Sequence, residues 1–175
     1  MIIKQKDSKD YRNRKLLYEY YSDFYFDIVP LFGNNGGSIK LERKPFIQSF
    51  HKRVEEDVFP DFLENPVIFS AALNEIEAGL IVVANEWYKT IRIWNINIFP
   101  EFRQRGVGSA LIKKVTEYAK SRKARRIVLE TQSSNFPAIN FYLSHDFYLC
   151  GLDTTCYSNN DIQKKEVRLE FCKCL

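Results

Sequence analysis

The stretch from Ile96 to Leu111, Ile-Asn-Ile-Phe-Pro-Glu-Phe-Arg-Gln-Arg-Gly-Val-Gly-Ser-Ala-Leu, constrains the fold more than any other part of the chain. Alternating apolar residues predict a strand, Pro100 ends it, and a basic Gly-x-Gly turn leads directly into an amphipathic helix. That order presents unpaired backbone N–H groups and the positive end of a helix to an anion, most naturally a phosphate. Gly106 and Gly108 allow a pyrophosphate to approach the backbone, and Arg103 and Arg105 supply charge. The turn is no dinucleotide fingerprint, because the third glycine is missing and no acidic residue follows in the right strand context. Nor is it a Walker loop, which would end in Gly-Lys-Ser/Thr.

The surrounding pattern predicts one mixed α/β domain over residues 1–175, in the order β, α, β, β, β, α, β, α, β, β. Residues 1–23 read as a helical or irregular arm and Phe24–Phe32 as a first strand, followed by a Gly/Asn turn at 33–37. Phe46, Ile47, Phe50, Val54, Val58 and Phe62 lie near helical spacing, which predicts a helix over 46–63. Val67–Leu73 and Ala78–Glu86 form an expected hairpin turning near 74–77. In the next strand Ile91 and Ile93 have one parity and Ile96 and Ile98 the other. Either an extra residue near Trp94-Asn95 makes a β-bulge, or the strand is buried on both faces. After Gly108, Ala110, Leu111, Val115, Tyr118 and Ala119 line one helical face. A strand at 127–131 follows, then a short helix over 137–144 capped by Asn135, then strands at 147–152 and 166–173.

Bulk properties remove several classes. Hydrophobic residues at 45% and charged residues at 27% exclude a disordered chain, and a net charge of +4 is too mild to argue for nucleic acid. The basic run Lys120–Arg126 reads as a solvated helix end, where cations favour the dipole. No window is apolar enough for a membrane span, and the first residues lack the apolar core of a signal peptide. Cys150, Cys156, Cys172 and Cys174 match no zinc spacing, so no metal is expected and a reducing cytoplasm is.

At this point the chain resembles the GCN5-related N-acetyltransferase (GNAT) superfamily. Arg103, Gly106 and Gly108 fill that family's Arg/Gln-x-x-Gly-x-Gly/Ala signature, and Ile98-Phe99-Pro100-Glu101 resembles its Val-x-Pro-Glu lead-in. Asn135, Ala138, Phe141 and Tyr142 are similar to its Asn-x-x-Ala-x-x-Phe-Tyr segment. With Leu129-Glu130-Thr131-Gln132, Gly151, Asp153 and Tyr157, the likeness is nearest the streptothricin acetyltransferase branch. Two departures stand out. The bulged strand carries Trp94, Asn95 and Asn97 where antibiotic-modifying members tend to carry acids, and Asp146 replaces the usual Gly before Phe147.

The resemblance implies a GNAT-type fold, a central, mixed, mostly antiparallel twisted sheet flanked by helices. It implies acetyl-CoA as cosubstrate, held by Ile96, Asn97 and Ile98, by Arg103, Gln104, Arg105, Gly106, Val107, Gly108 and Ser109, and by Asn135, Ala138 and Tyr142. The implied reaction is direct transfer of acetyl to an amine, with Tyr142 as the acid that protonates the leaving thiolate. A backbone N–H freed near Ile96 to Ile98 would polarise the thioester carbonyl. Glu130 is the first candidate base, with Glu86, Asp153 and a water relay as alternatives. The aromatic residues Phe24, Tyr25, Phe26, Trp87, Tyr88 and Trp94 are candidates for an acceptor pocket. The acceptor classes are a small-molecule amine, an antibiotic-like compound, or a lysine or N-terminal amine of a protein. A catalytically silent CoA sensor is the reading from another class. By analogy with related folds, a homodimer through the N-terminal arm or the last strand is also open.

Overall fold

The computed structural model describes residues 1–175. Nine strands fall into two sheets. A seven-stranded sheet is formed by β1 (Ile2–Lys6), β4 (Val67–Leu73), β5 (Ile76–Glu86), β6 (Thr90–Ile98), β7 (Arg126–Gln132), β9 (Arg168–Cys174) and β8 (Tyr148–Asp153), in that spatial order. A two-stranded ribbon is formed by β2 (Lys15–Gly33) and β3 (Gly36–Asp57). The helices are α1 (Val107–Ser121), α2 (Phe136–Leu143) and the single turn α3 (Asp161–Lys164). The sheet is mixed and mostly antiparallel, as the resemblance implies. No helix is long and apolar enough to cross a membrane.

The chain divides into two compact units. The first comprises Met1–Tyr18, Val54–Leu129 and Cys172–Leu175. In it β1–β4, β4–β5 and β5–β6 pair antiparallel, while β6–β7 is parallel. Two apolar layers cover its strands. On one face Val107, Leu111, Val115 and Ala119 recur every fourth residue, so α1 buries a single stripe. Tyr118 on this helix meets Phe69 edge-on at 5.6 Å, and Phe69 pairs with Ile81, which places α1 over the face bearing Ile81. The opposite face carries Ile68, Leu80, Val82 and Ala84, packed with Tyr11, Leu16, Val58, Phe59 and Leu63. Within this layer Glu77 accepts from Tyr11 and Arg14 at 2.6 Å and from Ser70 at 2.7 Å. Burial alone would raise this carboxyl, but those hydrogen bonds and the Arg14 charge outweigh it and hold Glu77 below its ordinary range.

The second unit comprises Glu19–Arg53 and Glu130–Phe171. Its ribbon residues are joined by rings: Tyr25 meets Phe46 at 4.7 Å, Phe46 stacks on Phe50 at 5.2 Å, and Tyr21 stacks on His51 at 4.3 Å. Aromatic pairs of this kind stabilise a ribbon that has no further strand to pair with. Phe24 and Phe26 both pack against Phe136 at the start of α2. The Phe26 N–H donates to Ser133 O at 3.0 Å, and Asp27 is gripped by Lys44 at 2.5 Å and Lys165 at 3.2 Å.

Two expectations are corrected here. Residues 46–57 are strand, not helix. Phe46, Phe50, Val54 and Val58 are spaced by four, which is close to one helical turn but is also two strand repeats. Ile47, which a helix would place on the apolar face, is fully exposed instead. The first 23 residues are likewise not an arm: they form β1, a 3-10 turn over Ser8–Tyr11 and the opening of β2. The helix α3 has no counterpart in the sequence reading. By contrast the Asn34-Asn35 turn, the hairpin β4–β5, α1, the Asn135-capped α2 and the last strands are where the sequence puts them, within a few residues.

Candidate active site

The bulge in β6 is real, and its position follows from the register. Val82 pairs with Asn95 and Val83 with Ile93, leaving Trp94 without an opposite number. The extra residue resets the alternation, so that Ile91, Ile93, Ile96 and Ile98 pair with Asn85, Val83, Ile81 and Gly79 on one face. This is the face that α1 covers. Asn95 and Asn97, opposite Val82 and Leu80, point to the other. Pairing of β6 with β7 runs only from Thr90 to Arg92. Beyond Arg92 the β6 groups directed to that side, Ile96 to Ile98 among them, lack a β7 ladder partner.

Both asparagines are engaged. The Asn95 Nδ2 donates to the Tyr18 hydroxyl and to Val58 O at 2.8 Å. Asn97 is buried and donates to Leu17 O at 3.1 Å. Their amides therefore hold the opening of β2 and the residues after β3 onto the bulged strand. Tyr18 is a site neighbour that sequence reasoning missed, because it belongs to no motif and lies in a segment read as an arm. Burial, partly offset by the Asn95 and Asn97 amides, pushes its hydroxyl up to about 12.

The turn after β6 has the geometry of an anion cradle. A 3-10 turn over Pro100–Phe102 ends the strand, and Arg103 Nε donates back to Ile98 O at 3.1 Å. Gln104 (φ 59°) and Gly106 (φ 77°) are left-handed on either side of Arg105. Alternating hand of this kind turns successive N–H groups to one side. Arg105 lies over the Phe102 ring with its guanidinium 5.8 Å from the centroid. Gly106 is the N-cap of α1 and offers no side chain to satisfy the helix amides. A Cβ built there meets nothing within 4 Å, so the space beside it is open, while its positive φ excludes most residues. Val107 is buried beneath the turn, and Gly108 and Ser109 continue the first turn of the helix. These residues fit the pyrophosphate of a CoA thioester: an uncapped helix start, open space and two arginines.

The remaining predicted residues lie in the second unit. Asn135 Oδ1 accepts from the Ala138 N–H at 3.3 Å, capping α2 as its sequence implies. Asp146 takes the left-handed conformation (φ 63°) where the family places glycine. Tyr142 is buried, with its ring near Phe147 and Phe171, and burial alone pushes its hydroxyl up to about 12. It is thus protonated at any physiological pH. Glu130 is exposed and forms an ion pair with Arg168 at 2.7 Å; the Tyr157 hydroxyl donates to it at 3.4 Å. The other two candidate bases are also engaged, Glu86 by Arg92 and Asp153 by the Thr155 N–H at 2.9 Å.

Of the proposed pocket aromatics, Trp87 and Tyr88 stand in solvent on the β5–β6 turn, 87% and 80% exposed. Trp94 meets Phe62 edge-on at 5.7 Å. Sequence reasoning also missed a polar cluster in the second unit. Lys52 donates to Gln132 at 2.8 Å and pairs with Glu166, while the Tyr20 and Ser134 hydroxyls lie 3.0 Å apart. No motif announces it, since its members come from segments far apart in sequence.

The model of the acetyltransferase (GNAT) family matches residues 37–147. Streptothricin acetyltransferase A of Bacillus subtilis (strain 168) is 30% identical over 136 residues, covering 75% of this chain and 77% of that protein. Among solved structures, nourseothricin acetyltransferase superposes with a TM-score of 0.75 and 28% identity over 98% of both chains. A Bacillus anthracis protein solved in complex with acetyl coenzyme A superposes with a TM-score of 0.76 at 22% identity, covering 99% of this chain and 98% of that one. The bulged strand, the uncapped glycine turn and these likenesses together show that the chain belongs to the acetyltransferase (GNAT) family, as an N-acetyltransferase.

Proposed function

We propose that residues 1–175 act as one acetyltransferase domain that transfers acetyl from acetyl-CoA directly to an amine of a small, antibiotic-like molecule. Acetyl-CoA supplies the activated acetyl group and a thiolate leaving group. The observation that carries the reading is the uncapped, left-handed Gly106 at the start of α1, directly after a bulged strand. In this reading the amides of Val107 and Gly108, with Arg103, Gln104, Arg105 and Ser109, bind the pyrophosphate. The backbone of Ile96, Asn97 and Ile98 orients the acetyl arm and polarises its carbonyl. Asn135 and Ala138 set the start of α2, and Tyr142 holds the proton given to the departing sulfur. Glu130, oriented by Arg168, takes the proton from the amine, directly or through water. The relatives named for streptothricin and nourseothricin support a small-molecule acceptor. Four cysteines with no disulfide among them accord with a reducing cytoplasm.

The test is thiol release from acetyl-CoA over a panel of streptothricin-class amines, polyamines and peptides. Turnover confined to small amines is the expected result. A second reading, acetylation of a protein lysine or N-terminal amine, is favoured by one observation: the bulged strand offers neutral amides where a carboxylate would draw a strongly cationic amine. Turnover confined to peptides would select it. Binding of acetyl-CoA with no turnover across the whole panel would instead identify a CoA sensor.

A further inference from the structure

We propose that the Tyr18 hydroxyl is a second hydrogen-bond donor to the acetyl carbonyl, beside the backbone N–H that β6 frees past its bulge. The inference rests on the acetyl-transfer reading above.

Three observations in the first unit carry it. The Asn95 amide is oriented by Val58, whose carbonyl can only accept; the nitrogen of Asn95 must face it, at 2.8 Å. The same nitrogen meets the Tyr18 oxygen, so in that contact Tyr18 is the acceptor. Its own proton is therefore left over, since the Asn95 and Asn97 amides both meet the hydroxyl as donors. The ring is fixed as well: Tyr18 packs against the layer of Leu16, Val58, Leu80 and Val82, so the hydroxyl is held rather than swinging. Finally, Asn95 and Asn97 sit on β6 where its pairing with β7 has ended, next to the backbone groups assigned to the carbonyl.

The chemistry suits that task. As the amine attacks, negative charge grows on the carbonyl oxygen, and a fixed neutral donor costs no reorganisation when it does. A single backbone N–H is half of the usual two-donor arrangement. Tyr18 supplies the other half, and burial keeps it protonated over the working pH range. The Asn95 and Asn97 amides serve in this arrangement to position Tyr18.

The test uses the full chain with acetyl-CoA labelled at the carbonyl carbon, read by infrared difference spectroscopy, together with steady-state kinetics. In the parent protein the bound carbonyl band lies below its free-solution position. In Tyr18→Phe the band moves back toward that position, kcat falls roughly 10- to 100-fold, and the KM for acetyl-CoA changes by less than about twofold. Asn95→Ala, which frees the hydroxyl without removing it, gives a smaller change in the same direction. Should Tyr18→Phe fold poorly, 3,5-difluorotyrosine at position 18 keeps the shape and strengthens the donor, and the band moves further from the free position. An unmoved band in Tyr18→Phe or the fluorinated protein overturns the proposal, as does an unchanged kcat in Tyr18→Phe. If the parent protein binds no labelled acetyl-CoA at all, the acetyl-transfer reading itself fails. That outcome is distinct from a bound cosubstrate whose carbonyl ignores Tyr18.

Discussion

The glycine turn entering α1 and the β2–β3 ribbon are built on opposite principles. The turn is local: six consecutive residues, Arg103 to Gly108, contain the left-handed positions, the charges and the helix start. The ribbon is a pair of long strands whose contacts join residues distant in sequence, 21 positions for Tyr25 with Phe46 and 114 for Lys52 with Glu166. A short-range device is specified by what each residue's backbone can adopt. A long-range one is specified by what its partners turn out to be. In the proposed function the first kind carries recognition of the cosubstrate, and the second supplies side chains such as Tyr20 and Lys52 that no motif foreshadows.

The sharpest way to break that contrast is Gly108→Glu. A carboxylate in the first turn favours α1 itself, so folding should be unharmed. Facing a phosphate, the same charge costs roughly 4 kcal/mol at an effective dielectric near 20, or about a thousandfold in affinity. Calorimetric titration with acetyl-CoA measures it; near-parental binding would show that the turn is only a structural corner.

Next in size is Glu77→Ala, which strands Tyr11, Arg14 and Ser70 around an empty position and should cost about 3 kcal/mol in chemical denaturation. Its pH dependence has a definite sign. The folded pKa of Glu77 lies below the unfolded one, so its contribution is complete above an unfolded pKa of about 4.3 and lost as pH falls through the folded value. Glu77→Gln should flatten the stability profile in that acid window while leaving the slope at neutral pH unaltered.

Tyr142→Phe comes third. Its ring stays packed near Phe147 and Phe171, so the melting temperature holds while kcat falls roughly 100-fold, the lower bound for removal of a general acid. Stopped-flow or steady-state thiol release would read it. A loss confined to KM would remove Tyr142 from proton transfer.

The smallest effect distinguishes strand from helix in the ribbon. Ile47 is fully exposed, so Ile47→Ser should change stability by less than about 0.5 kcal/mol. Phe46→Ala, one position away, loses contacts with Tyr25 and Phe50 and should cost clearly more. Equal costs at the two positions would contradict the alternating pattern of β3.

Much of the fold was legible because its signals are short. The parity change between Ile93 and Ile96 narrows the strand to a bulge or burial on both faces, and the register then shows the extra residue that brings four isoleucines to one face. Asn135 before Pro137 reads as a capped helix start, and Asp146 tolerates the left-handed conformation where glycine is usual. The ribbon was misread for an equally physical reason. A spacing of four satisfies both a helix and a strand, and the choice falls to partners that the local sequence does not name. The same limit applies to the site. Asn95 and Asn97 look like ligand contacts when only their own strand is considered. Their donors are in fact directed to Tyr18, Val58 and Leu17, which come from two other segments.

By itself, then, the sequence determined the glycine turn and the helix start, and narrowed the strand before them to a bulge or burial on both faces. Each depends on conformational limits that a residue carries wherever it is placed. Only the tertiary structure decided that residues 46–57 are strand, that Glu130 is paired with Arg168, and that Tyr18 stands on the bulge with a proton to give. Those outcomes depend on which distant groups meet, and hydrogen bonds and burial are settled only when the chain has brought them together.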